Sequence, residues 1–347
     1  ISSLANTDLT YEKKHEFNLG VDLGFLDNRI NLTTDIYWRR NFDLIGLANT
    51  EGVGGEIQRY GNIANMKSNG VEISLSTTNI KTKDFSWTTN LIYSHSHNEV
   101  TKLNTSSRVI DLVSGTGFTM KGYPVRSLFS IPFRGLNNEG LPTFLDQDGN
   151  VTTTGIYFQE SDPDKLKFLK YEGSADPTDV GSLGNVFRYK GFSLNLFITY
   201  SFGNVVRLDP VFSNKYDDLK STPKEFRNRW EVSGDEAKTN IPVIASAVQN
   251  RNDTNLKYAY NAYNYSDARI AKGDFIRMKE IALGYEFPKN WISHWGLSNL
   301  SLKLQATNLF LIYADKKLNG QDPEFFNTGG VAVPVPKQFT LTLRMGL

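Results

Sequence analysis

The 347 residues contain no cysteine. That excludes a disulfide framework and thiolate chemistry, and it leaves no residue for a cysteine-linked lipid anchor on the chain. There is no run of about 18 apolar residues, so no transmembrane helix is predicted. Charge of one sign is also lacking. Lys and Arg number 38 against 37 Asp and Glu, a net charge of +1, which gives no electrostatic footprint for nucleic acid. The opening segment, ISSLANTDLT, has no Met, no basic region and no apolar core of a signal peptide. It predicts either a removed leader or a piece of something longer.

Aromatics are plentiful, with 22 Phe and 16 Tyr, and so is Gly, with 28. A mean hydropathy of −0.38 would suit a soluble protein. It suits a membrane β-barrel equally, because only alternate strand residues face lipid. The end of the chain, FTLTLRMGL, decides which pattern to look for. Phe339, Leu341, Leu343, Met345 and Leu347 share one face, with Thr340, Thr342, Arg344 and Gly346 opposite. This is a half-buried strand, about the length that a tilted strand needs to cross a bilayer.

The same alternation recurs along the chain. Strands are predicted at about 15–25, 30–40, 69–79, 85–95, 182–189, 192–202, 275–287, 300–310 and 339–347. Short turns join them at 26–29, 80–84, 190–191 and 288–299. Long connections cover 41–69, 96–181, 203–274 and 311–338, and PKEFRNRWE in the third is read as a short helix. Short and long alternate without exception. A soluble sandwich has no reason to gather its long loops at one end, whereas an outer-membrane barrel does, with short periplasmic turns and long outer loops. The fold class is therefore all-β, an antiparallel transmembrane barrel contributing about nine or ten strands, and the whole of 1–347 is barrel.

Several motifs invite a chemical reading. LDQDGN at 145–150 spaces Asp146, Asp148 and Asn150 like a calcium loop, but its Gly falls at the wrong position and Tyr157 stands where a Glu is needed. An Asp-Gly turn explains it. His95 and His97 lack a third ligand. The acidic pairs Asp162/Asp164 and Asp217/Asp218 read as solvated loop charge rather than a glycosidase pair. GVGG at 52–55 has no Lys-Ser/Thr and no helix to open, so it is no phosphate loop. No catalytic residue, cofactor or metal is expected. Trp38, Trp87, Trp291 and Trp295 read as interfacial aromatics. The most ligand-like stretch is YAYNAYNY, where Tyr258, Tyr260, Tyr263 and Tyr265 are candidates for stacking on a substrate or partner. Its plainer alternative is packing of a long loop on itself.

Six segments together carry a family resemblance: NTDLTYEKKHEFNLGVDLGFLDNRI at 6–30, NIANMKSNGVEISL at 62–75, GLNNEGLPTFLDQDGN at 135–150, DVGSLGNVFRYKGFSLNLFITYSFGN at 179–204, GDFIRMKEIALGYEFP at 273–288 and LQATNLFLIYADKKLNGQDPEF at 304–325. In order and spacing the chain resembles the C-terminal half of a SusC/RagA-type TonB-dependent outer-membrane transporter of Bacteroidetes. The family usually ends on an aromatic residue, where this chain has Leu347.

The resemblance implies a barrel of about 22 strands with a plugged lumen, set in outer-membrane lipid. It implies a SusD-like surface lipoprotein as partner, and TonB-powered uptake of oligosaccharides or peptides. The plug, the TonB-contacting part and the first strands are expected outside this chain. Phe339, Leu341, Leu343, Met345 and Leu347 would be the strand read during barrel assembly. The lumen face would include Asn31, Asp35, Glu72, Asn90 and Asn195, with partner and some substrate contact on the loops 96–181 and 203–274. The rival classes are a soluble all-β glycan-binding protein or glycosidase, and a passive porin. The first would explain the aromatics and acidic loops but not the alternation of long loops with short turns, and the second does not predict the six segments.

Overall fold

The computed structural model describes residues 6–49, 58–216, 222–326 and 334–347. Nine long strands form one antiparallel sheet whose spatial order is the chain order. They are β1 (Lys13–Phe25), β2 (Ile30–Asn49), β3 (Gln58–Lys81), β4 (Phe85–Leu103), β5 (Asp179–Tyr189), β6 (Phe192–Phe202), β7 (Phe275–Glu286), β8 (Asn299–Ala314) and β9 (Gln338–Gly346). The sheet is open, with β1 and β9 as its edges.

Turn chemistry fixes the hairpins. Leu26, Asp27 and Asn28 all take positive φ, which Asp and Asn tolerate. Lys190 and Gly191 take φ of 44° and 89°, the two-residue turn whose twist matches paired strands.

Period-two patterning then sorts the two faces. Leu23, Leu32, Leu75, Leu91 and Leu183 lie side by side across five strands. Leu194, Leu283, Leu304 and Leu341 do the same farther along. These residues are exposed or half-buried, and Leu341 is 68% exposed. A face so apolar and so open to its surroundings is what a strand presents to lipid.

Three strands, β2, β3 and β4, run well past their expected bounds. Segment 41–69, read as irregular, is strand apart from 50–57, which lies outside the described residues together with GVGG. The pattern was hidden by a bulge: the register shifts between Asn41 and Ile45, with Asp43 at a φ of 57°. Likewise β4 continues eight residues beyond His95, to Leu103. The strands at 182 and 300 begin at Asp179 and Asn299, and the latter runs to Ala314.

The long connections 96–181 and 203–274 hold structure that the sequence did not mark. Their described parts, 104–178, 203–216 and 222–274, fold into one outer domain with its own core. Val109, Leu112, Phe129, Ile131 and Phe144 from the first pack with Phe212, Phe226, Leu256, Tyr260 and Tyr263 from the second. Backbone bonds stitch the two together: Ile131 N donates to Tyr265 O at 3.1 Å and Val243 N to Gly140 O at 3.0 Å. A three-stranded sheet (Phe133–Leu136, Pro142–Leu145, Val151–Thr152) and a pairing of Ser127–Ser130 with Lys170–Ser174 line this core. The expected helix in PKEFRNRWE is a short 3-10 turn, Lys224–Asn228.

Candidate functional site: the polar face and the domain above it

The face opposite the apolar one is polar, and close approach of backbones lets its side chains lie flat. Asp35 lies across Gly20, where an added Cβ would come 2.7 Å from its Oδ1. Tyr37 covers Gly70 in the same way, at 2.5 Å from its hydroxyl. Asp22 accepts from Thr33 Oγ1 at 2.7 Å, and Arg39 Nε donates to Glu16 at 2.9 Å. Glu280 is held from both sides, by Asn195 Nδ2 at 2.9 Å and Gln305 Nε2 at 2.8 Å. Asp35 stands directly opposite Glu72. All five residues expected on the lumen face, Asn31, Asp35, Glu72, Asn90 and Asn195, alternate with apolar residues of their own strands, Asn195 between Leu194 and Leu196.

The outer domain is fastened above this face by a stalk. Val205–Arg207 pairs with Ile270–Lys272, directly after β6 and before β7. Arg207 is buried. Its Nη1 donates to the carbonyls of Asn264 and Ser266, at 3.4 and 3.0 Å, and its Nη2 to Phe129 O and Ser130 Oγ, at 2.7 and 2.9 Å. Burial lowers its pKa to about 10, so the guanidinium stays charged at neutral pH. Arg269, also buried, pairs with Glu225. Beside Arg207, burial pushes the Glu172 carboxyl up, opposed by Lys170 at 3.4 Å.

A strap closes over the stalk. Leu318 packs with Val206, Leu208 and Ala271. Lys317 Nζ donates to Ile270 O at 3.1 Å, and Asp315 accepts from Lys272 N at 2.8 Å. Arg277 of β7 grips Asp322 with Nη2 at 2.5 and 2.6 Å from its two oxygens, both side chains 8% exposed. Sequence reasoning missed Arg207, Arg269, Arg277 and Asp322. The partners of Arg207 are mostly main-chain carbonyls far away in the chain, which leave no sequence signal. The QDPE turn was visible, but its partner was not.

The expected site residues divide. The four tyrosines lie on or next to the helix Leu256–Asn264. Helical phase sends Tyr260 and Tyr263 into the core with Leu256 and Ala259. Tyr263 meets Phe212 and Phe133 edge-on, with ring centroids 5.0 and 5.5 Å apart, and Tyr260 donates to Val243 O. Their burial leaves only Tyr258, exposed, and Tyr265, half-buried under the Arg207 guanidinium, with any surface to offer. Phe339, Leu341, Leu343 and Met345 all lie exposed on the apolar face of β9, with Leu347 just beyond its end.

Asp146 Oδ1 accepts from Asp148 N and Asn150 N, so LDQDGN is a turn between two short strands. His95 Nδ1 lies 2.8 Å from Asp179, and among the described residues no cluster of ligands could hold a metal ion. Asp162 Oδ1 accepts from Asp164 N, and Asp164 pairs with Lys167 in the open. Asp217 and Asp218 lie outside the described residues. A cleft of about 540 Å³ opens at the opposite end from the domain, lined by Lys83, Asp84, Lys190 and Glu286 around two short turns.

Comparison with known proteins agrees with this architecture. A family model described as TonB dependent receptor-like, beta-barrel matches residues 1–309. The TonB-dependent receptor SusC of Bacteroides thetaiotaomicron is 28% identical over 359 residues, covering 99% of this chain and 32% of the relative. TonB-dependent receptor P3 of Formosa agariphila is 27% identical over 348 residues, covering 93% and 32%. The RagAB peptide transporter superposes with a TM-score of 0.77 at 24% identity, over 99% of this chain and 36% of that one. The chain thus spans about a third of the length of the curated relatives it matches.

Proposed function

This chain belongs to the TonB-dependent receptor-like β-barrel family, whose members are outer-membrane proteins and not enzymes, and from that premise we propose that it forms one side of the wall and the outer mouth of an active importer. The cargo is an oligosaccharide or a peptide. The relatives' names support the class of machine: one is SusC, and one structural neighbour is described as a peptide transporter. TonB acts through a part of the protein beyond this chain, and a SusD-like surface lipoprotein closes over the outer domain.

The observation that carries this reading is the outer domain. A simple pore needs only a wall and short rims. Here two long excursions build a separate core directly above a polar face, and a stalk and strap fix that core in place. Such a domain suits an entrance that receives cargo from a second protein. The barrel wall below it, lined by Asp22, Asp35, Glu72 and Glu280, suits a hydrated passage for polar cargo rather than a greasy one.

The test is deletion of the whole gene in its own organism and growth on oligosaccharide mixtures or peptides as sole source. Loss of growth on one class, restored by the intact gene and abolished again when TonB is removed, is the expected result. Growth unaffected on both classes, or uptake that persists without TonB, would replace the reading with a passive pore. Purification in mild detergent should also bring down a surface lipoprotein in equal amount.

A further inference from the structure

The apolar face carries an unusual row at its outer end. His15 of β1 pairs with Arg40 of β2, Arg40 with Lys67 of β3, and Lys67 with Glu99 of β4. One step nearer the short turns, Phe17, Trp38, Asn69 and His97 form the next row. Below that come Leu19, Ile36 and Val71, with His95 of β4 completing the row and paired with Asp179. Along β1–β3 the order is charged, then aromatic and polar, then apolar.

The height of the row follows from the strand. From Phe25, beside the turn, to His15 is ten residues. A rise of ~3.3 Å per residue along a strand tilted by about 40° puts His15 and Arg40 about 25 Å above the turn end. That is the height of a barrel's apolar band. The row therefore stands at the outer headgroup level, with the Phe17–Trp38 contact (ring centroids 5.8 Å apart) as the aromatic girdle just beneath.

Arg40 and Lys67 are directly opposed cations, an arrangement that costs stability on a sheet face. Lys67 has an acidic neighbour, Glu99, at 2.8 Å. Arg40 is exposed, and its side chain has no hydrogen-bond or ion-pair partner among the described residues. A single anion seated between the two cations would relieve the repulsion and use the planar fork of Arg40. We propose that Arg40 and Lys67 hold the phosphate of an outer-leaflet lipid headgroup, flanked by His15 and His97 on the neighbouring strands, with its acyl chains lying down over Leu19, Ile36 and Val71. Asn69 supplies a further polar contact to the headgroup. Trp38 and Phe17 pack where headgroup meets chain, as aromatic girdles do. The inference rests on the membrane-spanning reading of β1–β4 and is independent of what the protein imports.

The test is native mass spectrometry of the full-length protein in mild detergent. Three probes are added separately: monophosphoryl lipid A, the same lipid after phosphatase treatment, and inorganic phosphate. The phosphorylated lipid should bind at least about tenfold better than the dephosphorylated one, as loss of a charge-assisted pair of hydrogen bonds would give. The double variant R40Q/K67Q should lose binding by a similar factor. Arg40→Lys should lose part of it, since an ammonium keeps the charge but not the planar fork, and Lys289→Gln, at the short-turn end, should change nothing. Heat-modifiable migration on gels reports that each variant is folded. Equal binding of the two lipid forms, or unchanged binding by R40Q/K67Q, overturns the proposal. So does binding of inorganic phosphate by a protein that takes up neither lipid.

Discussion

The sheet and the outer domain are made from one chain and bury opposite things. In the outer domain large apolar side chains point inward, and Phe144, Leu112 and Ile131 are wholly enclosed. In the sheet such side chains point outward, and Phe339, Leu341 and Met345 stand open. The domain is held by its core, as a water-soluble protein is. The sheet is held by strand-to-strand hydrogen bonds and needs lipid to cover its apolar face. A residue type therefore means different things in the two regions, and a substitution should be judged by which solvent it faces.

The sharpest test of this contrast is Tyr263→Ala. It removes an aromatic enclosed by Phe133 and Phe212 and should cost the domain about 3–5 kcal/mol. Limited proteolysis should then cut within 104–178 and 203–274, while the barrel keeps its heat-modifiable migration. If the barrel fails with it, the two regions form a single cooperative unit.

Arg277→Ala comes next. It leaves Asp322 buried without its cation, at a cost of about 3 kcal/mol. Hydrogen exchange should rise in 315–326 and across the stalk, and not in the domain core. Val21→Arg places a charge on the apolar face of β1 at a cost of about 2 kcal/mol in lipid, read as less folded barrel in the membrane. Val248→Arg, on the exposed surface of the domain, should stay within about 0.5 kcal/mol. Equal effects for these two would end the two-solvent description.

The smallest effect is a pH slope. Burial raises the Glu172 carboxyl above its ordinary pKa of 4.5, so the folded domain holds that proton where the unfolded chain has released it. Stability from this group is full below the ordinary value and falls as pH rises through the raised one. Glu172→Gln should flatten that slope in melting curves of the whole protein. An unchanged slope would place the titration elsewhere.

The barrel was legible because lipid enforces alternation residue by residue. Phe192 to Phe202 reads off the sequence with the observed ends. Legibility stopped where that demand stopped. Above the apolar band, β2 and β3 run on past Asn41 through a bulge, and no period marks them. The domain's strands are too short, two to five residues, to show any period. YAYNAYNY shows the same limit in another form. Its tyrosines were visible, but which of them faced inward depended on helical phase, and that phase was set by a core assembled from distant segments.

Each excursion leaves and re-enters between strands that are already neighbours: β4 with β5, β6 with β7. The wall would be continuous without either. Insertions of this kind can be exchanged between relatives without repairing the scaffold, which makes them natural units of inheritance. Because the two share one interior, they cannot be traded singly. Replacing 104–178 alone would leave 203–274 facing a stranger's side chains, whereas moving both as a matched set should keep that shared interior intact in a relative's sheet.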